Sequence, residues 1–291
     1  MPSLVEVRKK IQSVQNTKKI TQAMQLVAAS RMKGFQRKAV STRGYAQGLL
    51  GLLGQNEEAL SETRFAKTAS VDKVLFVLMT SDKGLCGALN ARLIRELFQS
   101  PAWKDLPPER RLLITVGRKS NEAARKLKIP VVRAFEGVKE DLDPLTALGV
   151  INEILAVWDR GECSEVRLVA PEYVNPFVFH TKMKAYLPLR NEILAGHGLS
   201  LSGDDGASAI QEPSPSRVAE ALAQQVVQAL FIQAFFELKA CEYSSRMVAM
   251  KNATDAAGEL GRTLTIEYNK ARQARITQEL AEISGAVAAI A

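Results

Sequence analysis

The sequence predicts an α/β protein in which a long N-terminal helix and a longer C-terminal helix pair as an antiparallel coiled coil around an inserted α/β module. Three observations predict it. No proline occurs from Ser3 to about Glu57, and none between Ser216 and Ala291. Both stretches carry apolar residues at helical spacing. Between them the pattern changes to short apolar runs that alternate with helix-like segments.

In the N-terminal stretch Leu4, Val7, Ile11 and Val14, then Met24, Val27, Met32 and Phe35, recur at intervals of three and four. Pro2-Ser3 supplies a start signal. The stripe thins between Gln15 and Gln25, where Lys18, Lys19, Thr21 and Gln22 dominate, so partners must hold this part of the helix. The C-terminal helix is longer. From Arg217 to Ala289 it would measure roughly 110 Å at ~1.5 Å per residue, far beyond what a compact core of its own could stabilise. Leu222, Val226, Leu230, Phe235 and Phe236 mark its first half. Ile276, Leu280, Ile283, Val287 and Ile290 follow the 4-3-4-3 spacing of a coiled-coil seam. Gly258 and Gly261 interrupt the helix and read either as a close approach of another backbone or as surface glycines.

The module between them begins with the buried-strand pattern 73–80 and the turn Ser81-Asp82-Lys83-Gly84. A helix (88–99), a strand (111–116), a helix (119–127), a strand (131–135), a helix (145–158) and a strand (165–170) follow. That alternation predicts a Rossmann-like parallel sheet with helices packed on it. Segments 176–181 and 184–189 read as an added edge hairpin. The expected divisions are an N-terminal helical segment 1–64, an α/β module 72–195, a linker 196–216 and a C-terminal helix 217–291. The linker is rich in Gly, Ser, Asp and Pro and reads as a mobile loop.

Charge is distributed unevenly over the 291 residues, whose formal net charge is +8. Residues 1–44 hold ten Lys or Arg and one acid, whereas 217–291 hold eight of each sign. The basic first helix calls for an acidic partner: a nucleic-acid backbone, an anionic membrane or a carboxylate-lined protein. No apolar run reaches the ~18 residues of a membrane span, and no apolar secretory leader is evident at the N-terminus. Cys86, Cys163 and Cys241 have neither metal-ligand spacing nor a CxxC pair, which fits a reducing compartment.

Catalytic signals are weak. The turn Thr80 to Gly87 sits where phosphate loops sit but matches neither GxGxxG nor GxxxxGK[ST], so it reads as a structural turn with Lys83 exposed. The two histidines, His180 and His197, stand beside no nucleophile motif. Glu279 and Glu282 read as helix-surface acids rather than a catalytic pair. No catalytic residue, cofactor-binding residue or metal ligand is assigned, and no cofactor is expected. A nucleic-acid-binding coiled coil and a free-standing α/β enzyme are the rival readings. The first lacks a recognition motif and the second a nucleotide loop.

Two segments carry a family likeness: Ile11 through Met32, with Lys33, and Ala253 to Gly258 continuing through Tyr268 to Ile283. With Ser81 to Gly87, Glu212 to Pro215 and Arg246 to Asp255, they resemble the gamma subunit of F-type ATP synthase across essentially the whole chain. The resemblance implies a central rotor shaft, present in one copy per complex, whose paired helices turn inside the α3β3 head. It implies that the α/β module rests with the epsilon subunit on the membrane c-ring, and that proton flow is coupled to ATP synthesis or hydrolysis on the β subunits. The partners implied are α, β, epsilon and the c-ring, with no nucleic acid. The implied location is the cytoplasmic side of a bacterial plasma membrane, as a peripheral subunit.

By the same resemblance, Met24 faces an acidic β loop, and Arg272 with Gln273 meets a β catch loop. Arg246, Gln273, Thr277 and Glu279 match coupling or rotor-helix positions, and Lys83 matches a position near β. Lys18, Lys19, Lys33 and Arg272 would act as the cam against β, and Ile283, Val287 and Ile290 as the bearing tip. Arg275 departs from the small or apolar residue common in the family, and 258–261 departs from its usual form. The cysteine pair of the thylakoid form has no counterpart, so redox switching is not expected.

Overall fold

The computed structural model describes residues 4–54, 57–190 and 212–290. The chain opens with α1 (Leu4–Gly54, 51 residues) and closes with α7 (Pro215–Ile290, 76 residues). Between them lie α2 (Glu57–Glu62), β1 (Val74–Met79), α3 (Leu89–Phe98), α4 (Pro101–Lys104), a 3-10 turn (Pro108–Arg110) and β2 (Arg111–Val116). Then come α5 (Arg118–Lys126), β3 (Arg133–Phe135), α6 (Pro144–Asp159), β4 (Glu165–Asn175) and β5 (Val178–Leu187). The chain falls into two compact units: Met1–Ala28 with Arg246–Ala291, and Ala29–Ser245.

In the second unit the sheet runs β3-β2-β1-β4-β5. The first four strands are parallel and β5 returns antiparallel to β4. Every residue of β1 is buried, as expected of a central parallel strand covered on both faces. Leu89, Leu93 and Leu97 put one apolar face of α3 into the core. The sequence-derived hairpin of 176–181 with 184–189 is not formed; those residues contribute to the single strand β5 and the Pro188-Leu189 segment after it. The true hairpin is β4–β5, turning at Asn175, whose Oδ1 accepts from the Phe177 and Val178 amides at 2.9 and 3.0 Å. What reads as a turn at 182–183 is part of an alternating strand, from which Lys182 and Lys184 both reach across to Glu172. β4 also runs five residues further than expected, through Pro171. Pairing with β1 stops at Val169, so that neighbour needs no amide donor from Pro171.

α7 changes character along its length. Nearly every residue between Val226 and Arg246 is at least half-buried, and Val226, Val227, Phe231, Ala240 and Cys241 are fully so. A helix apolar all round belongs inside a core. This enclosure explains why an 18-residue window of α7 has the composition of a membrane span although no continuous apolar run of that length exists; over half of that window is buried in the fold. α7 is tied to the sheet by Tyr186, whose hydroxyl donates to the Val227 carbonyl at 2.6 Å. It meets α1 through Phe35, stacked on Tyr243 at 5.5 Å and lying 6.4 Å from Phe236. Lys38 sits over the Phe35 and Phe236 rings. Tyr45 pairs with Gln225 at 3.3 Å, so descending numbers on α7 meet ascending ones on α1.

The other unit contains the outer stretches of the same two helices. Thr21 and Thr254 share a hydrogen bond at 2.7 Å, Gly258 lies against Lys18 and Gly261 against Val14. This register is antiparallel. The inward face differs from the sequence reading by one position: Ala28 is buried, whereas Val27 is 60 % exposed. A close helix pair favours small residues at the seam, and here Thr21, Ala28 and Thr254 take that place. From Asn269 to Gly285 every α7 residue is exposed.

A Cβ built on Gly258 or Gly261 would meet its neighbour at 3.4 and 3.7 Å, ordinary contact distances. Neither glycine is sterically required. Gly258→Ala and Gly261→Ala should each stabilise the chain by about 1 kcal/mol through helix propensity, read as a raised urea midpoint in far-UV circular dichroism.

Candidate functional site

β1 and β4 flank the point where the strand order reverses, the place where open α/β sheets bind ligands at their carboxyl ends. In this chain the turn after β1 is held by its own hydrogen bonds and by others that run toward α5, on the β2 side of β1. The Ser81 hydroxyl donates to the Lys83 carbonyl at 2.7 Å, and the Ser81 amide donates to Asn90 at 3.1 Å. Asp82 Oδ1 accepts from the Arg118 and Gly137 amides at 2.8 and 3.0 Å, and Thr80 Oγ1 accepts from the Ser120 amide at 2.8 Å. The amides at the start of α5 are what a phosphate would need, and Asp82 and Thr80 occupy them. Lys83 is exposed at the tip of this turn.

The cysteines are enclosed as well. Cys86, Cys163 and Cys241 are buried and free. Burial, with the charge of Glu162, pushes the Cys163 thiol up to about 12, and burial raises Cys241 as well. His180 lies on β5 opposite Glu172. Among the described residues no His, Cys, Asp and Glu group could hold a metal.

The sequence-derived surface residues fall into separate levels. Lys18 and Lys19 are exposed on α1 and Met24 is half-buried. The Lys18 ammonium lies 3.4 Å from where a Cβ of Gly258 would stand. Lys18 borders an open groove of about 490 Å³ together with Gln15, Gly258, Gly261, Arg262 and Ile266. Arg272, Gln273, Thr277, Glu279 and Ile283 all lie on the exposed stretch of α7. Arg272 is fourteen residues beyond Gly258, about 21 Å along a helix, so the structure does not bring it together with the two lysines. Arg272, Ile276, Glu279 and Ile283 share one helix face, which sets charge and apolar contact side by side. Arg275 donates to Glu279 at 2.9 Å, so the unusual arginine is the partner of a candidate coupling acid. Thr277 donates to the Gln273 carbonyl at 2.9 Å. Arg246 is buried. Val287 and Ile290 belong to α7, but their side chains lie outside the described residues, as does the expected linker from 196 through 211.

Sequence reasoning missed a polar cluster inside the sheet unit. Glu237, 4 % exposed, accepts from Arg43 at 2.7 Å, from Gln233 at 3.0 Å and from the Tyr173 amide at 3.2 Å. Beside it a cavity of about 30 Å³ is lined by Glu172, Lys182, Lys184 and Gln233, far below the ~300 Å³ at which small-molecule sites begin. Burial disfavours the charge of Glu172, but hydrogen bonds and attraction from Lys182 and Lys184 outweigh it and hold the carboxyl at about 2. Glu237 and Arg43 stand 194 positions apart, and only their charge in apolar surroundings could have drawn notice.

The elements define a class of subunit in which an α/β module lies in sequence between two long helices, with most of the candidate coupling residues on exposed helix faces. The family model described as ATP synthase matches residues 3–290. The ATP synthase gamma chain of Stenotrophomonas maltophilia (strain K279a) is 34% identical over the whole of both chains. That of Methylococcus capsulatus is 36% identical over 98% of each. The chain belongs to the ATP synthase gamma chain family. Its fold is also that of a chain in the Euglena gracilis mitochondrial ATP synthase OSCP/F1/c-ring assembly, with a TM-score of 0.68 at 20% identity, covering 99% of this chain and 94% of that one. A chain of the Tetrahymena thermophila central stalk/c-ring structure matches with a TM-score of 0.59 at 24% identity, over 80% of this chain and 99% of that one.

The packing at the sheet's carboxyl edge is testable at Gly117, which has φ +99 and whose Cβ would fall 2.1 Å from the Thr80 carbonyl oxygen. Gly117→Ala should destabilise the chain by about 3 kcal/mol or more, measured by equilibrium unfolding.

Proposed function

We propose that this chain is the central-stalk rotor subunit of an F1Fo ATP synthase, turning inside α3β3 and coupling proton translocation through a membrane ring to ATP synthesis or hydrolysis on the β subunits. The observation that carries the reading is the contrast along α7: enclosed from Val226 to Arg246, but bare from Asn269 to Gly285, with Ile276, Leu280 and Ile283 each about half exposed or more. A helix with an apolar seam and no cover in its own chain suits a sleeve of other subunits. In this reading the chain has no catalytic site and binds no cofactor; the reaction belongs to β. Its partners are α, β, epsilon and the c-ring, and one copy serves each complex. It sits as a peripheral subunit on the cytoplasmic side of the bacterial plasma membrane.

The division of labour follows from the physics of the contacts. A shaft must not bind one β subunit so well that it stalls. Apolar contact is non-directional, so Ile283, Val287 and Ile290 serve as a bearing that permits rotation. Charge is directional and gives asymmetry. Lys18 and Lys19, with Met24, present one level to an acidic β loop, and the groove beside Gly258 has a basic rim of Lys18 and Arg262. Arg272 and Gln273 present a second level to the catch loop, with Thr277 and the Arg275–Glu279 pair next to them. Lys83 and Arg246 complete the coupling set. Fully desolvated ion pairs broken at every step would cost several kcal/mol. The exposed placement of Lys18, Lys19, Lys83, Arg272, Gln273, Thr277 and Glu279 fits contacts that form and release, whereas Arg246 is buried.

Reversing charge at Lys18, Lys19 and Arg272 together should leave assembly intact and uncouple torque from catalysis, lowering pumping or torque about tenfold while ATP hydrolysis continues. Removing residues after Gly285 should leave some rotation. Single-molecule rotation and ATPase assays of the reassembled complex check both; full coupling in the triple reversal would remove the cam assignment.

A further inference from the structure

Most of the contact between α1, α7 and the sheet is apolar or aromatic: Phe35 on Tyr243, with Ala39, Ala46, Leu50 and Leu53 buried on α1. Such contacts hold helices together but resist sliding or rolling only weakly, because apolar attraction has little direction. Exposed pairs such as Lys38–Asp141 and Arg31–Glu140 add little to that resistance. Glu237 is different in kind. Its carboxylate is buried, and its three donors come from three places: Arg43 on α1, the Tyr173 amide on β4 and Gln233 one turn earlier on α7 itself. Displacing α7 by one turn, about 5.4 Å, would take the carboxylate away from Arg43 and Tyr173 and leave a buried charge without them.

The cluster is also a poor device for stability alone. Gln233 Oε1 and the Tyr173 hydroxyl are buried with no hydrogen-bond partner among the described residues. Arg43 is 42 % exposed, so its charge is partly screened. Well-packed apolar residues in place of a buried ion pair often match or exceed its stability. What the ionic cluster supplies and an apolar one cannot is a fixed register among two helices and a strand.

We propose that Arg43, Gln233 and Glu237 are the torque-bearing joint of this chain: positioning residues that make the helix pair and the sheet turn as one body. The proposal rests on the rotor reading above. The decisive variant is Arg43→Met/Glu237→Met in the full chain, reassembled with its complex in sealed vesicles. The thermal midpoint of the purified variant should stay close to the parent's, because removal of the buried charge offsets the acceptor lost to the Tyr173 amide and Gln233. ATP hydrolysis should persist, while protons pumped per ATP fall about tenfold, the scale of a lost coupling between contacting residues. Glu237→Gln keeps the side chain's volume and an acceptor for the Tyr173 amide; it serves if the double variant does not fold, and should give a smaller loss of pumping at unchanged stability. Full pumping by a stably folded double variant would overturn the joint and leave the rotor reading standing. A parallel loss of midpoint and pumping, in the double variant or in Glu237→Gln, would reduce the cluster to a structural role and also overturn it. If the parent chain itself supports no pumping, the rotor reading fails first, and the joint with it.

Discussion

A helix of 76 residues cannot bury its own apolar surface, and this constraint organises the whole chain. Isolated helices are marginal in water, and most helical stability in proteins comes from packing of an apolar face. α7 meets the requirement differently along its length. Where it runs through the sheet unit it is enclosed nearly all round, by apolar contact over most of its surface and with the charged groups Glu237, Lys239 and Glu242 buried among it. Beside the outer part of α1 it is covered on one side through small residues, Thr254 against Thr21 and Gly261 close to Val14. From Asn269 to Gly285 every residue is exposed, Ile276, Leu280 and Ile283 included. The sequence of environments along one helix is therefore enclosed, half covered and bare.

Apolar burial explains why these elements associate but not why they keep one alignment. Alignment needs groups for which a wrong position is costly, and removing one partner from a buried ion pair typically costs ~3–5 kcal/mol. Glu237 is the buried member of such a pair and bonds to α1, β4 and α7 at once, although the exposure of Arg43 screens the pair and lowers that cost. At the sheet's carboxyl edge Asp82 and Thr80 play a comparable part, bridging the turn after β1 to α5 and to Gly137. These internal hydrogen bonds tie the turn after β1 to its neighbours at the sheet's carboxyl edge.

Much of this was legible in the sequence where the signal was periodic. Proline-free stretches and three-four spacing gave both long helices, and the uninterrupted apolar run at Val74 to Met79 gave the central strand. The signal failed where polarity was read as a turn. Lys182 and Lys184 lie within a strand because Glu172 opposite neutralises them, a cross-strand relation no local window contains. It also failed by one position at the helix seam, where Val27 is the more apolar residue but Ala28 is the one small enough to face inward. The candidate site residues came from motif likeness; all but Lys83, which lies on the turn after β1, belong to α1 or α7, and Arg246 is buried. The Glu237 cluster could not be found in that way, since Arg43, Tyr173 and Glu237 are 64 to 194 positions apart and only the fold brings them together.

The claim at the centre of this account is that helices without chemistry of their own transmit work by turning as one body with the sheet. The most direct measurement fixes the complex through its β subunits and attaches a single probe to an exposed residue of the sheet unit, then adds ATP. The account predicts unidirectional rotation of the probe in step with hydrolysis. A probe that stays still while hydrolysis proceeds at the full rate would contradict it.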